Sequence, residues 1–556
     1  MWFLLELDIS EIRQRLDQMT TLLSSVHPEE SSSVGHAAPI ASSTIDTATA
    51  HVSLADRDGV DIEFPFMIIQ RRSTMHLLDL DPGLATWLVN IERAIPAYPA
   101  LTDSTLGSSA SRLLMMQSHR VTTDLARFSE HVHIWYPLFP LDFTETFFHS
   151  IGNVGNSPVK SCLAILSLAI GCVAGSDDAA AALGERQEFV YIHEAISRLP
   201  HVFLEHSIHA LQCLILFAIY HLHLLQPCQA HDYILAASFR VQNMLRSQQY
   251  PPESDLGDLL GRAYWTILLI ESELLIQLDL PHSGIWAFSD SVSLRSTSKI
   301  WHFPPHGSET RTTTLRASSS PSPIPSPTPP DHTLAYFLSE IAMRRMLQRC
   351  TTSMTKSASG RVRYALVIAT ELELQLHEWY DYLPPPLRFP KNLDVVDPEL
   401  LHPNAQFLQA QFFACKASIY WPAVYQAIED GQMDEKLSEC CAKFVNAYLI
   451  FIPAAASSFK TCRVNGWTLA ASVFIITMAT LRAVSDPCFD KAFNNDRLQS
   501  CFSHAVQVFA GIGDRSTSLA ALGRILGERV VSVQRKRDED LISTTEESGY
   551  VDKDTR

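Results

Sequence analysis

One stretch, residues 207–281, constrains the fold more than any other part of the chain. It contains the segments SIHALQCLILFAIYHLHLL, AHDYILAASFRVQNML and LGRAYWTILLIESELLIQLDLP, joined by short polar connectors. Each segment has helical periodicity but is apolar around most of its circumference, which is typical of a buried helix. Three such helices in succession predict a large all-helical core, and no part of the sequence has the pattern of a run of strands.

The composition is that of an acidic, intracellular protein with one or two sizeable cores. The 556 residues are 46% hydrophobic, which is enough for such cores, and carry a formal net charge of -17. This negative charge argues against a protein that binds nucleic acid over its whole surface. No uninterrupted apolar run reaches the ~18–20 residues of a membrane helix. The closest, 162–175 and 467–481, favour buried core helices. The eleven cysteines are scattered, which indicates reduced thiols rather than a disulfide frame.

Residues 5–23 carry a narrow apolar seam. Its members alternate spacings of four and three residues: Leu5, Ile9, Ile12, Leu16, Met19 and Leu23. This spacing suits the contact of a two-stranded coiled coil. It equally suits an amphipathic helix that packs on its own body, because the seam is shorter than the ~3–4 heptads that distinguish the two. The residues alone leave both interpretations open.

A set of residues in the central stretch occurs in a recognisable order. A long apolar helix ends in a tyrosine, a second helix ends in an arginine turn, and Arg-x-x-Trp opens a third that runs to a proline. The residues concerned are Leu211, Gln212, Tyr220, Ala236, Phe239, Arg240, Arg262, Trp265, Glu271 and Pro281. This order resembles the regulatory middle homology domain of the fungal zinc binuclear cluster transcription factors. The chain departs from that family at Glu271, where an aspartate is usual, and at 279–281, where Asp-Leu-Pro replaces Gly-Arg-Pro.

Further stretches resemble the same family. FSEHVHIWYPLFPLDFTETFF at 128–148 has the helix, proline turn and helix that begin the regulatory domain. ELELQLHEWYDYLPPPLRF at 371–389 and AQFFACKASIYWPAVY at 410–425 follow in the family's order. EIRQRLDQMTTLLSSV at 11–26 resembles the dimerisation helix that follows the zinc cluster. The resemblance implies an all-α fold and favours the dimer interpretation of the apolar seam.

Composition and pattern divide the chain into segments. We predict a short coiled-coil-like dimerisation helix (1–25), a flexible linker (26–65), a bridging region (66–120) with a helix near 83–95, the first part of a helical regulatory domain (121–306), a Ser/Pro-rich disordered linker (307–332), the second part of the domain (333–530) and a disordered acidic tail (531–556). In the helix predicted at 334–350, Arg344, Arg345 and Arg349 lie near the C-terminus, where cations suit the helix dipole.

Histidines of the central stretch are the first candidates for a metal site. They are His201, His206, His209, His221, His223 and His231, with Cys213 and Cys228 among them. No pair has the i, i+4 spacing within an HExxH-like frame that a zinc site on one helix requires. Core or half-exposed histidines explain the pattern as well, so no metal ligand is predicted.

Motifs for catalysis are missing from the sequence. There is no nucleophile elbow, no phosphate-binding loop and no dinucleotide glycine run. Glu271 and Glu273 are interpreted as a solvated helix edge rather than a catalytic pair. A helical enzyme of terpene-cyclase type is an alternative because of its large apolar helices, but it needs an aspartate-rich Mg²⁺ site that the sequence lacks. We therefore predict no enzyme activity and no catalytic or cofactor-binding residues.

The front of the chain lacks the cysteine cluster of the family it resembles. That cluster binds two zinc ions through six close cysteines beside a basic helix that meets DNA. Here the first cysteine is Cys162, the first lysine is Lys160, and Arg13, Arg15 and Arg57 are the only Lys or Arg among the first sixty residues. The resemblance thus implies zinc for the family but no cofactor for this chain. Either the gene model lacks an upstream segment or the gene has lost the module.

The sequence as a whole predicts a fungal regulator of transcription. It is expected in the nucleus, acting on RNA polymerase II genes such as those of a pathway or a secondary-metabolite cluster. The implied partners are a second chain in a homodimer or heterodimer, the transcription machinery and a small-molecule effector. DNA is a partner only if an upstream zinc cluster exists, and a membrane is not expected. The alternative is a co-regulator that binds no DNA and pairs with related factors.

Overall fold

Helices form nearly all the regular structure. A computed structural model describes residues 72–94, 118–153, 157–175, 188–294, 299–304, 329–349, 354–356, 362–392, 401–489 and 496–550. All of them belong to one unit, Ile62–Arg556. The predicted all-α fold is confirmed in this part of the chain. The predicted N-terminal dimerisation helix, with its six seam residues, lies outside the described residues.

Seventeen α-helices lie in the described ranges. They are α1 Arg72–Leu77, α2 Leu84–Ala94, α3 Ser118–Phe128, α4 Phe143–Gly152, α5 Pro158–Ala174, α6 Glu188–Ser197, α7 Leu199–Leu204, α8 Ile208–His223, α9 Pro227–Arg246, α10 Asp255–Gln277, α11 Pro329–Arg349, α12 Leu366–Asp381, α13 Pro403–Asp430, α14 Glu435–Thr461, α15 Gly466–Val484, α16 Asp496–Ile512 and α17 Thr517–Tyr550.

Side-chain caps and prolines set the beginnings of the longest helices. The hydroxyl of Ser207 accepts a hydrogen bond from the Ala210 amide at the start of α8, and Ser254 does the same for Gly257 at the start of α10. Asp434 accepts from the Leu437 amide at 2.7 Å before α14. Each cap satisfies an amide that has no partner within its own helix. Helices α5, α9 and α13 begin with a proline, which needs no such partner, and α13 also has a side-chain cap from His402.

Helix α8 lies at the centre of the first half of the protein, by which we mean helices α1 to α10. The second half consists of α11 to α17. Every residue of α8 except His209 is buried, and the helix packs against α5, α9 and α10. In the second half, α13 and α14 pack together, and α15 contacts both. Helix α10 contacts α11 and α15, so it connects the two halves. Helices α8 and α10 are therefore buried on most of their circumference, as the sequence predicts. Helix α9 is buried on one face only, with Asp232, Phe239 and Asn243 exposed on the other, so the prediction is wrong for that helix.

A proline turn joins α3 to α4 and is held from both sides by side chains of the central helices. Helix α3 continues into a π-helical turn, Ser129–His133, before the chain turns at 137–140. Gln212 Nε2 of α8 donates to the Leu138 carbonyl at 2.7 Å. Arg262 Nη1 of α10 donates to the Pro137 carbonyl at 2.8 Å. These bonds replace the backbone partners that a proline-containing turn cannot supply.

The structure corrects two boundaries predicted from the sequence and adds a hairpin that was not predicted. A helix, α17, runs to Tyr550, although the sequence predicts a disordered tail from residue 531. Helix α11 begins at Pro329, inside the predicted linker 307–332, because proline is well tolerated in a first helical turn. A short antiparallel hairpin, β1 Met354–Lys356 and β2 Val362–Tyr364, pairs Thr355 with Arg363. Three-residue strands are too short for an alternating pattern to reveal them.

Two segments are long and apolar enough to cross a membrane by length and composition. They are Glu435–Thr461 and Arg463–Val484, and 67% and 83% of their most apolar windows lie buried inside the protein. Helix α15, which the sequence predicts as a core helix, has buried residues along its whole length. This burial is what core helices of a folded protein show.

Candidate functional site

The histidines of the central stretch do not form a metal site. His221, His223 and His231 are almost completely buried. Burial lowers the pKa of His221 to about 4 and that of His223 to about 3, so both rings are neutral at physiological pH. Among the described residues, no three His, Cys, Asp or Glu side chains are close enough to hold a metal ion. None of the ten cysteines in that part of the chain forms a disulfide, and eight are buried.

The residues that carry the family resemblance have structural contacts. Trp265 Nε1 donates to the Val292 carbonyl at 3.2 Å. The carboxylate of Glu271 accepts from the Ser283 amide at 2.7 Å and from the Ser283 hydroxyl at 2.6 Å. The hydrogen bonds of Trp265 and Glu271 together fix the loop that follows α10. The interpretation of Glu271 as part of a solvated edge is wrong, because the residue is only 2% exposed and holds a backbone amide.

Glu273, the other residue of the predicted solvated edge, is also paired. Its carboxylate forms an ion pair with Arg344 of α11, whose side chain is 3% exposed. Arg344 Nη2 also lies 3.7 Å from Glu340 Oε1, one turn earlier on α11. Arg344 does lie near the C-terminus of its helix, as predicted, and the structure adds this buried ion pair, which the sequence did not reveal. Its neighbour Arg345 pairs with Asp290 at 2.8 Å and lies over the ring of Trp265.

A cavity opens beside this ion pair. Four helices form its walls, and its volume is about 80 Å³. Most of the lining is apolar, and Glu273, Arg344 and Gln411 are among its polar residues. The lining residues are Glu273, Ile276 and Gln277 of α10, Met343, Arg344 and Leu347 of α11, Phe407, Ala410, Gln411, Ala414, Cys415 and Ser418 of α13, and Thr468, Leu469, Ser472, Ile475 and Ile476 of α15.

The polar end of the cavity contains Glu273, Arg344 and Gln411. Together with Glu340, which contacts Arg344 and Gln411 from outside the lining, they form what we call the Arg344 cluster. Gln411 Nε2 donates to Glu340 Oε1 at 2.8 Å. Burial raises the pKa of Glu340 to about 7 and lowers that of Arg344 to about 10. Glu340 is therefore partly protonated near neutral pH, whereas Arg344 stays cationic.

Three polar atoms of the Arg344 cluster are buried and have no hydrogen-bond partner in the protein. They are Arg344 Nε, Glu340 Oε2 and Gln411 Oε1. A buried polar atom without a partner costs about 1–3 kcal/mol. Groups of this kind in native proteins bind water or a ligand or take part in a function. An apolar cleft with a few convergent polar groups is the usual form of a small-molecule site.

Sequence reasoning missed this site. One signal was available, because Glu340 and Arg344 are four residues apart on a helix and so share a face. The contribution of Glu273 and Gln411 was not visible, since both come from other helices. Of the two glutamates considered together in the sequence analysis, Glu273 lines the cavity. Glu271 does not, and it accepts a hydrogen bond from Ser283 instead.

Comparisons with known proteins give the family. The chain is 34% identical to "Putative transcription factor ecdB" of Aspergillus rugulosus over 546 residues, which is 96% of this chain and 91% of that protein. No family model matches the chain. No solved structure matches it either. The large helical protein described above is thus a relative of this fungal protein along nearly its whole length. The chain belongs to the same family of fungal transcription factors as ecdB.

Proposed function

We propose that this chain regulates transcription of RNA polymerase II genes in the fungal nucleus, and that its helical part is a regulatory domain of the zinc-cluster type. The observation that carries the proposal is the likeness to ecdB along nearly the whole chain. The contacts of Gln212, Arg262 and Glu271 add support, because residues selected by the family resemblance hold the turns that connect the core helices. The regulated genes would be those of a pathway or a secondary-metabolite cluster.

The cavity supports the proposal that a small-molecule effector controls this domain. Helix α15 lines the cavity with residues 468–476 and contacts α1 with its last turn, where Arg482 Nε donates to the Leu77 carbonyl at 3.0 Å. Arg529 of α17 holds the next residues through the Asp79 carbonyl at 2.8 Å. A ligand that shifts α15 would therefore act on the segment that connects the helical domain with the N-terminal part of the chain.

Deleting the gene in the fungus tests the regulatory function. We expect a defined set of transcripts to change, including a group of neighbouring genes of one pathway, and reintroduction of the wild-type gene to restore them. A transcriptome unchanged under every growth condition in which the gene is expressed would contradict the proposal. Fluorescence microscopy of a tagged chain tests the nuclear location in the same strain.

The N-terminal seam supports a dimer, with a second copy or a related factor as partner. Leu16 stands at its centre, and Leu16→Glu would bury an unpaired carboxylate in each chain at a cost of several kcal/mol. We expect sedimentation to show a dimer for the wild type and a monomer for the variant. A wild type that is monomeric at micromolar concentration would exclude the dimer seam. A variant that loses thermal stability with unchanged mass would instead place the helix on its own body.

A further inference from the structure

The Arg344 cluster presents a specific set of hydrogen-bonding atoms that the protein does not satisfy. Arg344 Nε is a donor, and Gln411 Oε1 is an acceptor. Both residues line the cavity. The side chain of Arg344 is 3% exposed, so bulk water does not solvate it freely. A ligand at this end of the cavity would satisfy both atoms by offering an acceptor to Arg344 and a donor to Gln411.

The charges around the cavity disfavour a ligand with a net charge. One guanidinium lies between two carboxyl groups, which belong to Glu273 and Glu340. An anionic ligand would compete with Glu273 for the guanidinium and meet a carboxylate at close range. A cationic ligand would meet Arg344 in a poorly solvated place, where like charges repel strongly. A neutral polar group avoids both costs.

The size and lining of the cavity limit the rest of the ligand. The cavity has a volume of about 80 Å³, so it holds only a small molecule. The polar end of such a molecule has room for only a few non-hydrogen atoms. Ile276, Leu347, Leu469 and Ile475 surround the remaining space, which favours a short hydrocarbon chain. Gln277 and Ser472 already bond to each other at 2.9 Å, so they do not require a ligand group.

We propose that this cavity binds a small neutral molecule with a carboxamide-like end, which both donates and accepts hydrogen bonds at Arg344 and Gln411, and a short apolar tail. This inference rests on the proposed effector response, for which it names the chemical class of the ligand. It differs from that proposal in its test, because binding to the purified chain is measured without any transcriptional readout.

Three probes with the same carbon chain separate the alternatives. Butyramide, butyrate and butylamine differ only in the charge and hydrogen-bonding groups of the polar end. Titration of the full-length chain at neutral pH, followed by ligand-observed NMR, gives a dissociation constant for each. We expect butyramide to bind in the millimolar range, which is reasonable for so few atoms, and at least tenfold more tightly than the other two.

A cavity-filling variant with a matched control locates the binding. Ala414→Leu adds an isopropyl group to the cavity wall, whereas Ala510→Leu makes the same change on the exposed face of α16. We expect butyramide binding to fall at least tenfold in Ala414→Leu and to stay unchanged in Ala510→Leu. Circular dichroism checks that both variants are folded.

Several outcomes would overturn the inference. Equal or tighter binding of butyrate or butylamine would show that the polar end selects a charged group. Butyramide binding that survives Ala414→Leu would place the ligand elsewhere. The absence of measurable butyramide binding would mean that the orphaned atoms are satisfied by water alone. In each of these cases the transcriptional role, which gene deletion tests, would still stand.

Discussion

Two glutamates of neighbouring helices show how the number of partners decides the state of a carboxyl group. Glu373 of α12 accepts a hydrogen bond from the Tyr420 hydroxyl and forms ion pairs with Lys416 at 2.9 Å and Lys443 at 3.2 Å. Glu340 of α11 has one amide donor at 2.8 Å, from Gln411, and Arg344 at 3.7 Å. Glu340 Oε2 has no partner in the protein.

The pKa values of these two groups move in opposite directions. Burial raises the pKa of both, but the three donors around Glu373 outweigh burial and hold its pKa at about 2. Burial dominates at Glu340 and raises its pKa to about 7. A full set of donors keeps a buried carboxyl group ionised, whereas incomplete pairing leaves the cost of burying its charge uncompensated.

Removal of Arg344 should have the largest effect on stability. Arg344→Met leaves Glu273 without its cation and removes the only cation within 4 Å of Glu340 among the described residues. Loss of one partner of a buried pair costs about 3–5 kcal/mol. Urea unfolding measures this loss. Arg345→Met is the control, because Arg345 pairs with the largely exposed Asp290 and should cost less than about 1 kcal/mol. Equal losses in the two variants would contradict the buried pair.

Glu340→Gln should change how stability depends on pH. The carboxyl pKa rises from 4.5 to about 7 on folding, so ionisation penalises the folded state as the pH increases through that window. The penalty is absent below pH 4.5 and complete above about pH 7. Relative to the wild type, the variant should gain on the order of 3 kcal/mol between pH 5 and pH 8.

Other titrating groups lie near Glu340 and must be considered in that experiment. Burial raises the pKa values of Tyr136, Tyr336 and Cys462, and the nearby charge of Glu340 raises them further. They stay neutral over the range between pH 5 and pH 8, so they add no slope there. Parallel pH profiles for the wild type and Glu340→Gln would show that Glu340 titrates normally.

Glu373→Gln should produce the smallest change, with the opposite sign. The depressed pKa of Glu373 stabilises the folded state above about pH 4.5, and this contribution is lost as the pH falls towards 2. Lys443 is partly solvated, so solvent screens part of the interaction and we expect a loss of about 1 kcal/mol at neutral pH. Thermal unfolding at pH 7 and pH 3 checks this. A variant that is more stable than the wild type at pH 7 would remove the contrast with Glu340.

The sequence allowed most of the fold to be predicted but little of the candidate site. Periodicity located α8, α10 and α15, because residues buried on all sides leave a long apolar run. The C-terminal half of α17 was missed, since charged segments such as RKRDED carry no apolar periodicity. Glu273 was assigned to a solvated edge and Arg344 only to the dipole of its own helix, because charged residues are usually exposed and this pairing spans two helices. Only tertiary structure shows that contact.

A tethered reporter assay tests the central claim that the helical domain regulates transcription through the cavity. The full-length chain, Ala414→Leu and Ala510→Leu are each fused to a DNA-binding domain of another protein, and expression from its target promoter is measured at matched protein levels. We expect the wild type and Ala510→Leu to change expression equally and Ala414→Leu to differ from both severalfold. Identical expression with all three fusions would contradict it.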